Sequence, residues 1–431
     1  MSNSFSKEER VAFEDILEGF QDALVLSRNV SVYNTDSTMM ERTDNVLWRP
    51  QPYISQSYDG TDQTSNFGDY TELAVPATLG FQKSVPWIMT ALELRDALQE
   101  GRLGDSARQK LASDINRAVM NVASNQGSLV VKRTAAATGF DDVAQCEAIM
   151  NEQGVPDYDR YLALSTRDYN GMANNLQGAS RSFGNEISDG ALRRAMVGMV
   201  ASFETYKLDY ANRLTAAAAT GGSAITMDTR ASAGNYWVPK ATTTSATGER
   251  GNVDNRFQTI TVTATSNVKA GDAFTIGTLG TDGVVAVHHI TKGATGQLKT
   301  FRVVSVDSAT TMTITPPIVS NQGGTDAEAQ YQNVELEGTS ATAAMTFLNT
   351  TAANVNCFWQ RDAIELLPGR YAVPSDAGAA VMRASTDQGI ELVMTKQYDI
   401  NTMKTKYRLD TLFGVVNKQP EMSGIILFGQ S

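Results

Sequence analysis

Between Asp105 and Val131 the chain reads DSARQKLASDINRAVMNVASNQGSLVV, and this stretch constrains the fold more than any other. Leu111, Ile115, Ala118, Val119 and Val122 recur at helical spacing, with Arg108, Lys110, Asp114 and Arg117 distributed around them. Asp105 or Ser106 is placed to cap the first free N–H groups, no proline interrupts, and Gly127 is placed to end the helix as a left-handed residue. The spacing predicts about 20 helical residues, a rod of roughly 30 Å. A rod with one apolar stripe requires a sheet or another helix laid along it. By periodicity alone it is an ordinary core helix, after which Leu129-Val130-Val131 opens a strand.

A chain of 431 residues is long enough for two or three domains with a real core. The net charge of -11 argues against a dedicated nucleic-acid binder, which would carry a basic stripe, although it permits a thin inner surface that tolerates DNA. Cys146 and Cys357 have no CxxC partner, so neither a disulfide framework nor a zinc site is expected, and free thiols suit a reducing cytoplasm. The opening MSNSFSKEER lacks the apolar core of a signal peptide, and no apolar run approaches the roughly 20 residues of a membrane span. A soluble protein made inside the cell is the expectation.

Glu8 to Leu26 predicts a second amphipathic helix, with Val11, Phe13, Ile16, Leu17, Phe20, Leu24 and Val25 on a broad apolar face. It reads as an arm that docks either on its own domain or on another molecule; periodicity does not separate the two. Asn45 to Val85, rich in Tyr, Phe, Thr, Gly and Pro, predicts a long two-stranded excursion with an irregular tip at Tyr58 to Tyr70, which needs a surface to lie on. Thr90 to Gln99 predicts a short helix leading into the long one. Helices are also expected at Asp141 to Asn151 and from Thr166, with a buried strand at Tyr161 to Leu164. Met196, Met199 and Val200 form a stripe that at helical spacing means packing. From about Thr226 the composition turns to Thr, Val, Gly and Ser. Phe257, Ile260, Val262 and Ala264 alternate, a turn follows at Lys269 to Asp272, and further strands are expected at Phe274 to Ile276, Gly283 to His288, Thr300 to Val306 and Thr311 to Ile314. This predicts a small all-β barrel or sandwich inserted between two mixed stretches. Gly389 to Val416 predicts two long antiparallel strands around a turn at Asp399 to Thr402.

Chemistry is sparse. His288 and His289 are adjacent in a predicted strand and would point to opposite faces, so they do not make a metal pair. No HExxH, CxxC, P-loop or G-x-S-x-G pattern is present, and Gly277, Gly280 and Gly283 lie in a β-rich region rather than between a strand and a helix. No catalytic, metal or cofactor-binding residue is assigned, and no cofactor is expected.

NVASNQGSLVV resembles the end of the spine helix in major capsid proteins of tailed bacteriophages, most closely the short-tailed-phage coat proteins with an extra inserted β-domain. YLALSTRDYNGMANNL, the block from Asp189 to Gly221, NVDNRF followed by KAGD, NVNCFWQRDAIELL, and GIELVMTKQYDINTMKTKYRLDTLFGVV with Pro420 and the final IILFG resemble further segments of that family in the same order. The resemblance implies an α+β capsid fold. Its parts would be an N-terminal arm over 1–40, an extended β-loop over 41–90, a peripheral domain with the spine helix over 91–155 and an axial domain over 156–226. An inserted β-domain would follow over 227–350, a return to the axial and peripheral domains over 351–388, with Asn354 to Leu367 as a re-entry strand and helix, and a peripheral β-hairpin with the C-terminus over 389–431. It further implies a structural, non-enzymatic role. Copies would form hexamers and pentamers of an icosahedral shell around a scaffolding protein, with a portal at one vertex, nonspecific contact with packaged double-stranded DNA, and no membrane. Closed shells need heterologous contacts between different patches of one subunit. The candidate anchors are Phe13 and Phe20 on the arm and Tyr58, Phe67 and Tyr70 on the extended loop, with Glu249 and Arg250 as register-setting charges. The alternatives are a carbohydrate- or cell-surface-binding β-rich phage protein, suggested by the Thr/Gly-rich strands, and a hydrolase with an inserted domain.

Overall fold

A computed structural model describes residues 5, 7–33, 46–51, 54–55, 57–67, 73–90, 92–93, 97–179, 198–217, 225–227, 254–320, 330–338, 342–372 and 379–431. The architecture is α+β, and the chain divides into two compact units. One comprises Met1–Leu47, Pro76–Val122 and Ile364–Val416; the other comprises Trp48–Val75, Ala123–Ala363 and Asn417–Ser431.

In the first unit the N-terminal helix is Lys7–Ala23 and the spine helix begins at Ala97. Two glycines lie where these helices meet. A Cβ on Gly19 would lie 1.9 Å from the Arg108 guanidinium, and one on Gly104 would lie 2.7 Å from Ile16 Cδ1. The Asn116 side chain then closes the end of the arm helix, donating to the Ala23 carbonyl at 3.0 Å and accepting from the Leu26 N–H at 3.3 Å. Phe13, Ile16 and Phe20 are buried, whereas Val11 and Val25 of the expected apolar face are exposed. The arm thus docks on its own chain.

The expected hairpin is present as Glu391–Asp399 and Lys404–Asn417, at the centre of a sheet that runs Ser31–Val32, Ile364–Pro368, Lys404–Asn417, Glu391–Asp399, Ala380–Ser385, with Phe81–Thr90 also pairing with Lys404–Asn417. Cross-strand register puts Tyr407 opposite Trp87 and Phe413 opposite Phe81, and both pairs stack, at 5.6 and 5.2 Å between ring centroids. Glu9 of the arm accepts from Lys396 and, at 3.2 Å, from the Tyr407 hydroxyl, which joins arm and hairpin through a buried carboxylate.

The second unit has a six-stranded sheet ordered Leu129–Lys132, Ser423–Leu427, Asn356–Gln360, Arg160–Ser165, Phe203–Leu208, Met199–Val200. The strands 356–360, 160–165 and 423–427 are buried along their whole length, which explains runs such as NCFWQ and SGIIL that do not alternate. Leu129, Cys146, Met150, Leu162, Phe203 and Phe358 share its core with the helix Phe140–Glu152.

The inserted strands run from Thr226 to Phe347. Their order is 226–227, 343–347, 273–276, 300–306, 311–315, 258–261, and a bridge between Met227 and Val262 joins the first strand to the end of the last, closing the sheet as a barrel. Phe274 stacks on Phe301 at 5.7 Å and tilts on Phe347 at 6.0 Å inside it, with Ile260, Met312 and Ile314 fully buried around them. A smaller sheet, 294–298, 284–287, 334–336, accompanies the barrel.

Several local expectations are corrected. The spine helix is Ala97–Gln126, 30 residues and about 45 Å, so Asp105 lies within it and pairs with Arg108 instead of capping. Gly127 is absent from the residues with left-handed backbone; glycine is needed there because a Cβ would meet the Ala123 carbonyl at 2.9 Å and the Gly424 backbone at 3.0 and 3.1 Å. Thr90 ends a strand, and its N–H and hydroxyl bond reciprocally with Glu93. Met199 and Val200 lie on a strand, with Met199 exposed, while Met196 lies outside the described residues. Between Asn354 and Leu367, where a helix was expected, the chain forms a 3-10 turn, Arg361–Ala363, between two strands. His288 and His289 sit in the turn after the strand Val284–Val287, not within it.

Candidate assembly surfaces

The aromatic anchors expected from the sequence fall into three groups. Phe13 and Phe20, at 4% and 0% exposure, are packed within the first unit of this chain. Their burial follows from the approach of the arm and spine helices at Gly19 and Gly104. Tyr58 and Phe67, at 42% and 88% exposure, stand out from the tip 57–67. Tyr70, Glu249 and Arg250 lie outside the described residues.

The tip is organised by its own polar side chains. Gln63 Nε2 donates to the Gly60 carbonyl at 2.7 Å, and Asn66 Nδ2 donates to Gln63 Oε1 at 2.6 Å. Thr64 donates to Asp62 Oδ1 from its hydroxyl at 2.6 Å and from its N–H at 3.1 Å, which holds the Asp62 carboxyl below the usual carboxylate range. The base of the excursion is a two-stranded ribbon of Val46–Pro50 and Ala74–Thr78. Gln51 N–H donates to the Leu73 carbonyl at 2.8 Å, and Leu73 N–H donates to the Tyr331 hydroxyl at 3.1 Å. The tip thus bonds to itself between Gly60 and Asn66, and Phe67 stands exposed beside it.

A second exposed cluster was not anticipated. At one end of the long sheet, Ile88, Ile400 and Met403 are exposed by 55, 78 and 60%. Register places Ile88 opposite Lys406 and Thr90 opposite Lys404, beside the turn that carries Ile400 and Met403. The signal was available: the turn DINTM puts two large apolar residues where polar ones are the rule.

Buried cations were also missed, three of which tie distant segments together. Arg302 is 1% exposed and donates to the carbonyls of Gly271 and Ser124, each at 3.0 Å; burial pulls its pKa down to about 10. Lys299 donates to Glu421 at 2.5 Å and to Gln153 at 2.8 Å. Burial works to raise the Glu421 carboxyl, but Lys299, His289 and Asn333 outweigh it and hold the group below its ordinary value. Arg256 spans Asp254 and the Asn417 carbonyl, at 2.7 and 3.0 Å. These are structural locks. Burial pushes the Cys357 thiol up to about 12 and raises Cys146 further, so neither is a nucleophile at neutral pH. Among the described residues no group of three or more His, Cys, Asp or Glu converges as a metal site, and no helix is long and apolar enough to cross a membrane.

Comparison with known proteins accounts for almost the whole chain. Residues 1–429 match the model of the family described as P22 coat protein, gene protein 5. Among solved structures, the chain is similar to one from Mycobacterium phage Che8, with 8% identity over 94% of this chain and 90% of that one at a TM-score of 0.44. It is similar to the capsid of cyanophage P-SCSP1u, with 10% identity over 93% and 86% at a TM-score of 0.42. The CUS-3 coat protein I-domain shares 36% identity over 30% of this chain and 99% of that one at a TM-score of 0.22. With 429 of its residues under one family model, the chain belongs to the P22 coat protein family and is a major capsid protein of a bacteriophage head.

Proposed function

We propose that this capsid protein assembles as hexamers and pentamers of an icosahedral procapsid, around a scaffolding protein and with a portal at one vertex, in the cytoplasm of a bacterial host. The shell then rearranges as double-stranded DNA is packaged. The role is structural and involves no catalysis. The division into arm, extended loop, peripheral, axial and inserted domains over the ranges given above belongs to the same reading. The observation that carries it is Phe67, 88% exposed on a loop whose polar side chains bond to one another. A large apolar ring presented on such a loop is available as an anchor for contact with a neighbouring subunit. Tyr58 joins it, and Tyr70, Glu249 and Arg250 remain candidates for the same class of contact. With a net charge of -11, contacts with DNA are weak, nonspecific and lost with salt.

The test is negative-stain microscopy with sedimentation of the purified chain, with and without its scaffolding protein. Closed shells of uniform size support the reading, and their loss in Glu249→Ala/Arg250→Ala assigns that loop a contact. A stable monomer or trimer under every condition would sink it.

A further inference from the structure

Lys299, Asn333 and Glu421 meet at one oxygen atom. Lys299 lies between the inserted strands 294–298 and 300–306, and its side chain is 1% exposed. Its Nζ donates to Glu421 Oε1 at 2.5 Å and to Gln153 Oε1 at 2.8 Å. Asn333, just before the inserted strand 334–336, donates from Nδ2 to the same Glu421 oxygen at 3.1 Å and to the Pro317 carbonyl at 2.8 Å. Asn333 Oδ1 accepts from the Val319 N–H at 3.0 Å. A carbonyl on one side and an N–H on the other fix which end of the amide is oxygen and which is nitrogen.

A salt bridge needs only Lys299 and Glu421. The wider arrangement holds an amine, an amide and a carboxylate in the positions that amide exchange requires. The Val319 N–H sits on the oxygen that would carry negative charge once the Asn333 Cγ is attacked. Glu421 Oε1 touches both the nitrogen that must give up a proton and the nitrogen that must leave with one. Fixed contacts replace a chance encounter between the two side chains. A proton passed along the Nζ–Oε1 hydrogen bond turns the ion pair into a neutral amine and a carboxylic acid, and enclosure of Lys299 favours that form because a buried charge is costly.

We propose that Lys299 and Asn333 join in an intramolecular isopeptide bond, with Glu421 carrying the protons. The neutral Nζ attacks Cγ, and the C–N bond forms as the carbonyl electrons move to Oδ1, beside the Val319 N–H. The acid form of Glu421 gives its proton to Nδ2, the Cγ–Nδ2 bond breaks, and ammonia leaves. Glu421 takes the surplus proton from Nζ and passes it to the ammonia, so ammonium departs and the carboxylate is restored. Glu421 and Asn333 line a cleft with Gln153 and Met422, which gives the product a way out, and its dilution makes the step one-way. Glu421 belongs to the 3-10 turn Pro420–Met422, beyond the inserted strands, so the bond forms only after that turn has docked on them. The reaction occurs once per chain, on the chain's own atoms, and does not rest on shell formation.

Tandem mass spectrometry of tryptic peptides from the purified full chain tests it. Lys299 in an isopeptide bond is closed to trypsin, so 293–302 should stay uncut and be joined, with loss of one ammonia, to the peptide that carries Asn333. Lys299→Arg keeps the charge without a nucleophilic amine and should give no branched peptide. Glu421→Gln keeps polar contacts without a proton carrier and should slow its appearance by about a hundredfold. A chain held in denaturant from the start should form none. The wild-type reading requires no variant to fold: separate peptides, fully cut at Lys299, overturn the bond. A branch to Gln153 in place of Asn333 overturns the choice of amide, and a branch that forms equally in denaturant overturns the role of the folded site. An unchanged rate in a folded Glu421→Gln overturns the part given to Glu421.

Discussion

Arg302 donates from Nη1 to the carbonyl of Ser124 at 3.0 Å, so a strand of the inserted barrel closes the last turn of the spine helix. Helix C-termini leave carbonyls without partners and carry partial negative charge, which a buried guanidinium answers on both counts. The same group donates from Nε to Gly271 at 3.0 Å and lies near buried Asp272. Arg302→Ala would strand these acceptors together, and we expect a loss of about 3–5 kcal/mol in chemical denaturation. Arg302→Lys keeps the charge without the fork and should lose a smaller part of it. A change within the noise of the measurement would remove the lock.

Lys299 and Glu421 form a second lock at 2.5 Å. Glu421→Gln should destabilise by about 3 kcal/mol because the Lys299 charge remains buried, whereas Lys299→Met/Glu421→Met together should cost much less. The Glu421 carboxyl is held below its ordinary 4.5, so its contribution is complete above that value and disappears as pH falls through the lower folded value. Thermal melts from pH 7 to 3 should show a steeper acid loss in wild type than in Glu421→Gln.

Gly127→Ala tests close approach in the absence of a left-handed backbone. The new methyl would meet Ala123 O and the Gly424 backbone at 2.9–3.1 Å, atoms of a helix end and a sheet strand with little room to yield. Overpacking of this kind costs about 1–3 kcal/mol, readable as a lower melting temperature. Replacement by alanine at no cost would show that the neighbouring strand can shift.

Phe20 and Phe67 should separate folding from assembly. Phe20→Ala removes a fully buried ring and should cost about 3–5 kcal/mol in the isolated subunit. Phe67→Ser, alone or with Tyr58→Ser, should leave subunit stability within about 0.5 kcal/mol while shell yield in sedimentation falls. Equal effects of Phe20→Ala and Phe67→Ser on both measurements would contradict this division.

Ile400 and Met403 carry the same logic for the second exposed cluster. Ile400→Ser/Met403→Ser should leave the melting temperature unchanged, since both are solvated in the subunit at 78 and 60% exposure. A fall in shell yield, seen by sedimentation, would make the hairpin end a contact.

Elements governed by neighbours in the sequence were legible before the fold was known. Leu111, Ile115, Val119 and Val122 repeat at the period of a helix, and all are buried. Ile260 and Val262, and the strands from Phe274 to Ile314, alternate or run apolar between Gly and Asp turns, and they pair as the barrel. The hairpin around Asp399 to Thr402 announces itself in the same way. Family resemblance, carried by segment order, supplied the rest of the architecture.

Other features depended on residues far apart in the chain. GRLG at 101–104 argues against a helix by propensity, yet the spine helix runs through it, because Gly104 is where Ile16 of the arm must fit. The strand ATGQL at 294–298, largely exposed, has too little apolar alternation to be recognised alone and forms because 284–287 offers it a ladder. Lys299 and Arg302 read as ordinary surface cations until Glu421, Ser124 and Gly271 are brought to them from elsewhere in the chain. By itself the sequence determined the periodic elements and their order, since these depend on local pattern and residue type. Only the tertiary structure decided which aromatics are core and which are presented, and where buried charges find partners. Both are settled by contacts across hundreds of residues, which local periodicity does not encode.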